Sequence, residues 1–273
     1  MDRKQQPAGE IRFGRYLRRH RERLHLTLDA VESLSAAVGQ RISKSNLSRM
    51  ENCQVSPNLS KLGTLALLYD VPLGEMVDRY EIGRRLRHVE LPQDLGDPDR
   101  ALAEAYARIK SGEYLKALAV ARRCRESVGS GNGSRATHRS NGSHRRLFLT
   151  EVQCLLHLGF HECARADAER VLALDDLDLE QRLIAWHAFV ASSIWLQKLQ
   201  VAEASLAHVE EIVRSPEAPA RFSADFALLR GNLSTSSSRH EAALEAYSRA
   251  MRLFEDLSRP LEVCRCRVLC GGA

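Results

Sequence analysis

Ile42-Ser-Lys-Ser-Asn-Leu-Ser-Arg-Met-Glu-Asn-Cys53 is the stretch on which the reading of the whole chain turns. Ser43 suits a helix N-cap, because its hydroxyl can accept an orphan amide N–H. From Lys44 the helical period puts Leu47 and Met50 on one face and Lys44, Ser45, Ser48 and Arg49 on the other, with Asn46 between. A short helix with an apolar back and a cationic, hydroxyl-bearing front can lie in a DNA major groove. There arginine and lysine pair with guanine O6 and N7, and serine meets several base edges. A solvated surface helix has the same pattern, so the flanks must decide.

Before this stretch, Ile11 to Leu24 carries Phe13, Leu17 and Leu24 on one side and six arginines elsewhere. Among these, Arg18 and Arg19 are candidates for phosphate contacts. Residues 1–9 read as a polar tail. Thr27 can cap a second helix with Leu28, Val31, Leu34 and Val38 inward, ending at Gly39. After the stretch, Ser56-Pro57 offers an N-cap and a proline at the first helical position, with Leu59, Leu62, Leu65, Ala66 and Tyr69 as the buried face. Val71-Pro72 breaks the chain before a fifth helix bearing Leu73, Met76, Val77 and Tyr80. Five short helices with a capped, polar-faced third are laid out like a helix-turn-helix domain.

Charge supports this reading. Residues 1–90 hold 16 Lys+Arg and 11 Asp+Glu, whereas residues 91–273 hold 24 of each, so the whole net charge of +5 sits in the first third. Nothing approaches a membrane-spanning run, and seven scattered cysteines suit a reduced, cytoplasmic protein.

Residues 12–80 resemble the Cro/C1-type (XRE) helix-turn-helix family. Leu17 and Arg21, Thr27, Ile42-Ser43-Lys44-Ser45, Leu47-Ser48-Arg49-Met50-Glu51, and Ser56-Pro57 with Leu62, Leu65 and Ala66 carry the likeness. The resemblance implies that double-stranded DNA is the partner. Thr27, Ser43, Lys44, Ser45, Asn46, Ser48 and Arg49, with Arg18 and Arg19, form the expected contact set. Two departures stand out. The segment from Thr27 to Ile42 is about three residues longer than the family pattern. Cys53 stands where glycine is usual, so Asn52 is expected in the left-handed conformation instead.

Beyond a domain spanning 10–82 and a linker over 83–98, the chain becomes repetitive. The segments Gly112–Leu118, Gly159–Ala164, Leu199–Ala204 and Ser238–Leu244 echo one another. They align on Ala117, Ala164, Ala204 and Ala243, each between two helical stretches. The unit is a helical hairpin with a small residue at its close approach, and residues 99–273 form an α-solenoid resembling tetratricopeptide repeats. A Gly/Ser-rich insert is expected over 129–144, with Arg135, Arg139, Arg145 and Arg146 in or beside it. Leu261–Leu269 reads as another first helix, either a cap or the start of a further hairpin. The fold class is therefore all-α: a five-helix helix-turn-helix domain followed by a tetratricopeptide-like solenoid.

No chemistry of catalysis emerges. Cys264, Cys266 and Cys270 have no partner pair at metal-ligand spacing, and Gly129–Gly133 lacks the Gly-Lys-Ser/Thr ending of a phosphate loop. No cofactor, metal or enzymatic activity is expected.

The combination resembles the peptide-sensing regulators of the Rgg and PlcR kind. That resemblance implies a dimeric transcription regulator whose repeats bind a signalling peptide. The rivals are a DNA-tethered scaffold for a protein partner and an antitoxin or phage-type repressor whose repeats only dimerise. Counting eleven residues back from each aligned alanine gives a column of Tyr106, Gln153, Ser193 and Asn232. One turn on, Lys110, His157, Gln197 and Ser236 form a second, and Leu149, Trp186, Phe189 and Leu228 an apolar wall.

Overall fold

The computed structural model describes residues 8–91, 97–129 and 138–272; of the tail expected over residues 1–9, residues 1–7 lie outside them and Ala8 and Gly9 belong to the first helix, and the middle of the insert, with Arg135, also lies outside. The described residues fold into fourteen helices and no strand. The chain divides into two compact units, residues 1–93 and 94–273.

The N-terminal unit holds α1 (Ala8–Arg23), α2 (Leu28–Ala37), α3 (Lys44–Glu51), α4 (Leu59–Tyr69) and α5 (Leu73–Leu86). Its core gathers Phe13 and Leu17 from α1, Val31 from α2, Leu47 and Met50 from α3, Leu62, Leu65 and Tyr69 from α4, and Met76 from α5. Burying this apolar surface is the chief driving force, at roughly 25 cal/mol per Å². The caps at Thr27 and Ser43 form as expected: Thr27 Oγ1 accepts Ala30 N–H and Ser43 Oγ accepts Asn46 N–H.

Local corrections follow from tertiary context. On α2 the buried face is Val31 and Ser35, while Leu34 and Val38 are exposed. Ser35 is buried because its Oγ donates to Glu32 O and accepts Ile42 N–H, fastening the long turn. Asn58, not Ser56, caps α4 through Lys61 N–H, and Leu59 is exposed. Cys53 itself takes the left-handed conformation at φ 60°, while Asn52 stays at φ −94°. Helix α5 runs through Leu86 with Gly83 and Leu86 buried, so the residues expected to open the linker are helical.

The second unit holds α6 (Pro98–Lys110), α7 (Tyr114–Gly129), α8 (His138–His157), α9 (His161–Leu172), α10 (Leu179–Trp195), α11 (Leu199–Val213), α12 (Ala220–Ser236), α13 (His240–Asp256) and α14 (Pro260–Gly272). Consecutive helices pair, and the first helices α6, α8, α10 and α12 also pack against their neighbours in series. That is the contact pattern of a helical-hairpin solenoid. Residues 138–144, expected within a flexible insert, are instead the first turns of α8. Ser143 Oγ bonds Asp99, and His144 Nε2 bonds Arg125 O.

Backbone geometry sets the repeat register. Gly112, Gly159, Gln197 and Ser238 all have positive φ, at 74°, 81°, 57° and 56°. Each lies at its hairpin's turn, five residues before a fully buried alanine: Ala117, Ala164, Ala202 and Ala243. The third repeat therefore aligns on Ala202, and Ala204 is exposed. The sequence alignment is two residues out there because the segment offers two alanines, Ala202 and Ala204, and no glycine marks the turn.

Candidate nucleic-acid interface and ligand face

The front of α3 is positioned from behind by Leu47 and Met50, at 0% and 1% exposure, and from its C-terminal end by Glu51. Glu51 is buried and is held by Arg21, with Nε at 2.6 Å and Nη2 at 2.9 Å, and by Arg18 Nε at 3.2 Å. Arg21 also donates to Leu26 O, and Glu51's hydrogen bond raises the Arg21 pKa. Close approach of α1 to this end requires Gly14, whose added Cβ would stand 2.2 Å from Glu51 O.

The expected contact residues do not all face the same task. Ser45 and Arg49 are exposed on α3, and Arg49 makes no side-chain hydrogen bond or ion pair among the described residues. Lys44 Nζ bonds Asp29 at 2.9 Å, both groups being well exposed, and Asp29 raises the lysine pKa. Such a pair contributes little in water and can be exchanged for another anion. Ser48 takes a bond from Asn52 Nδ2, and Asn46 Oδ1 takes one from Lys61 Nζ. The hydroxyls of Thr27 and Ser43 are spent on capping. Arg19 is exposed, but Arg18, expected at phosphate, is turned to Glu51 and Asn52.

Sequence reasoning missed Glu32. Its Oε2 accepts Lys44 N–H at 2.9 Å, and its Oε1 accepts Arg41 Nε and Nη2. Those bonds, the Lys44 backbone N–H first, hold its carboxyl below the ordinary value. A carboxylate on α2 that caps the start of α3 fixes the angle between the two helices. The signal was an acid seven to twelve residues before a helix start, which period counting does not register.

In the repeat unit the predicted columns separate. Ser193 is fully buried and bonds Phe189 O; Gln197 is the left-handed turn residue. With the third repeat registered on Ala202, the first column becomes Tyr106, Gln153, Ala191 and Asn232. The second becomes Lys110, His157, Trp195 and Ser236, of which Trp195 is 70% exposed. Gln153 is half-buried, His157 stacks on Tyr114 at 4.4 Å, and Trp195 stacks on His161 at 5.0 Å. Asn232 Oδ1 accepts from Tyr247 Oη, leaving its amide N–H groups available.

The apolar wall is a correction. Leu149 and Phe189 belong to one core and Leu228 to another, while Trp186 packs edge-on to Phe189 and His208. These positions point into the hairpins.

The same register adds three residues. His187 lies one turn before Ala191 and Asp225 two turns before Asn232; Arg265 stands on α14. Burial lowers the His187 and His157 pKa values, and the charge of Arg265 lowers both further. Burial raises Asp225, against the pull of His187, Arg259 and Arg221.

A family model described as a helix-turn-helix domain matches residues 12–80. Residues 12–80 are a helix-turn-helix domain. Glu51 and its arginines thus brace this domain's third helix from within. No curated protein is matched by the sequence. Among solved structures the chain is similar to PlcR of Bacillus thuringiensis, solved with the peptide PapR7 and DNA. The identity there is 14%, the coverage 96% of this chain and 86% of that one, and the TM-score 0.52. ComR from S. thermophilus, solved with DNA and its signalling peptide ComS, is 11% identical, with 95% and 99% of the chains covered and a TM-score of 0.39. Rgg2 from Streptococcus dysgalactiae, an SHP pheromone receptor, is 13% identical, with 94% and 97% covered and the same TM-score. The likeness to PlcR is one of fold, and it spans the helix-turn-helix domain and the repeats together. No described helix is long and apolar enough to cross a membrane.

Proposed function

We propose that the chain is a sequence-specific transcription regulator that reads duplex DNA with α3, acts as a homodimer, and takes a peptide on the first-helix face of its repeats. One observation carries the DNA reading. Arg21, largely covered, is consumed by Glu51, while Arg49 stands exposed and unpaired on a capped helix beside Ser45 and Ser48. A guanidinium left free in that setting suits a bidentate pair with guanine. PlcR, alike in fold, was solved with DNA and a peptide. The face of Gln153, Asn232, His157 and Trp195 offers amides for a peptide backbone and an exposed ring for its side chains. Two-fold symmetry implies an inverted-repeat operator, with half-sites about one DNA turn or a multiple apart.

The test is binding to duplexes selected from a randomised library, followed across salt. Binding through several phosphates makes log K fall linearly with log salt, with a slope of about −0.9 per phosphate neutralised. A flat response contradicts the nucleic-acid reading.

A further inference from the structure

A cleft of about 630 Å³ opens between the second helices α11 and α13, with α12 as its floor. It lies on the opposite side of α12 from Asn232. Phe226, almost fully buried, and Val213, Ala227, Ala242 and Ala246 make its lower surface apolar. Its rim carries five arginines, Arg214, Arg230, Arg239, Arg249 and Arg252, against the glutamates Glu210 and Glu245.

The arginines fall into two groups. Arg230 is bound by Glu203 and by both oxygens of Glu210, at 3.0 and 2.7 Å, and Arg239 by Glu203 at 2.6 Å. That network fixes one side of the cleft. Arg214, on the end of α11, and Arg249 and Arg252, one turn apart on α13, are exposed and make no ion pair or side-chain hydrogen bond among the described residues. Three such arginines around one groove, against Glu245 as the single rim glutamate unpaired among the described residues, leave a positive potential there.

We propose that this cleft docks an acidic segment of a partner protein, one whose carboxylates flank aliphatic or aromatic side chains. Each carboxylate can take paired N–H bonds from a free guanidinium, and the apolar side chains cover Val213 and Ala242 above the buried Phe226. A nucleic-acid strand satisfies only half of this surface. Its phosphates can reach the rim, but the apolar floor offers nothing to the sugar and desolvates the charges above it. The site is separate from the first-helix face, so its occupancy does not depend on the proposed peptide ligand.

The experiment uses the full chain and a labelled Glu-Leu-Glu-Phe repeat peptide in fluorescence anisotropy. The peptide should bind and weaken as salt rises, and a Lys-Leu-Lys-Phe peptide should not bind. The triple variant Arg214→Glu, Arg249→Glu, Arg252→Glu should weaken binding on the order of tenfold or more, since it reverses rim charge. Should that variant misfold, the pair Arg249→Gln with Arg252→Gln keeps the exposed positions polar and should still weaken binding severalfold. Binding by wild type that survives both variants overturns the assignment, as does absence of binding by wild type. Displacement of the peptide by single-stranded oligothymidylate at equal charge also overturns it, in favour of a nucleic-acid site.

Discussion

In the helix-turn-helix domain, Glu51 of α3 is gripped by Arg18 and Arg21, three residues apart on α1. In the repeat unit, Glu151 of α8 is gripped by Arg122 and Arg125, three residues apart on α7. Both glutamate side chains are buried, at 2% and 1% exposure. In each pair one arginine is the more exposed, Arg18 at 43% and Arg125 at 32%, and Arg18 donates also to Asn52. One device thus appears in both units, in a basic domain and in a neutral solenoid. An arginine count therefore measures charge without saying which guanidiniums face outward. In the domain, the basic stretch of α1 is partly internal bracing, and on α3 the unspent charge is that of Arg49.

The largest effect should come from cutting the two clamps. Removing one partner of a buried pair typically costs about 3–5 kcal/mol, because the other charge is left uncompensated. Arg21→Ala, which removes two of the three bonds on Glu51, should destabilise the helix-turn-helix domain by about that amount, and Arg122→Ala the repeat unit by somewhat less, since it removes one bond and Arg125 keeps two on Glu151. Both tryptophans, Trp186 and Trp195, lie in the repeats, so their emission follows that unit alone. Urea unfolding should move the tryptophan transition for Arg122→Ala and leave it in place for Arg21→Ala. Movement of the tryptophan transition by Arg21→Ala would show that the units do not unfold independently.

A second contrast is between two glycines. A Cβ on Gly14 would meet the Glu51 carbonyl at 2.2 Å, and one on Gly231 would meet the Tyr247 ring at 2.3 Å. Overpacking of this kind costs about 1–3 kcal/mol. Backbone cannot give as a ring can, so Gly14→Ala should be the costlier. Equal losses in thermal melts of the two variants would mean that the buried Tyr247, held to Thr235 and Asn232, is as immovable as a carbonyl.

These details mark the limit of what was legible in the sequence. Caps at Thr27 and Ser43, and Leu47 and Met50 behind α3, could be read because each follows from a local rule of period or hydrogen bonding. So could the hairpins, from Ala117, Ala164 and Ala243. Ser35 could not, since an apolar count favours Leu34 and Val38, and only the turn's need for a partner at Ile42 N–H buries a serine. Nor could the third repeat's register, where glutamine holds the left-handed turn; the displacement put buried Ser193 and turn residue Gln197 in the ligand columns and left Trp195 out. That Arg18 turns to Glu51 was hidden for a related reason: its partner lies 33 positions away.

The smallest contrast is in pH. In the repeats, burial holds His157, His161 and His187 below the ordinary histidine value. The unfolded chain therefore takes up these protons first, so the contribution is intact above about pH 6.5 and is lost as pH falls below it. In the helix-turn-helix domain, Glu32 lies below its ordinary value, so its contribution persists until pH falls through the carboxylate range. The tryptophan-reported melting temperature should fall between pH 7.5 and 5.5, and His187→Gln should flatten that fall. A rise over that interval contradicts the assignment.

The central claim is that α3 reads bases with Arg49, while α1's Arg18 serves the fold. It is tested most directly by measuring wild type, Arg49→Ala and Arg18→Ala against every single-base variant of a selected operator half-site. Arg49→Ala should cost about 1–3 kcal/mol and erase preference at one base position, leaving the others ranked as before. Arg18→Ala, scored at a temperature where it remains folded, should keep the wild-type preference at every position. If Arg49→Ala instead weakens all sequences alike, Arg49 contacts only the backbone and the proposed reading face is wrong.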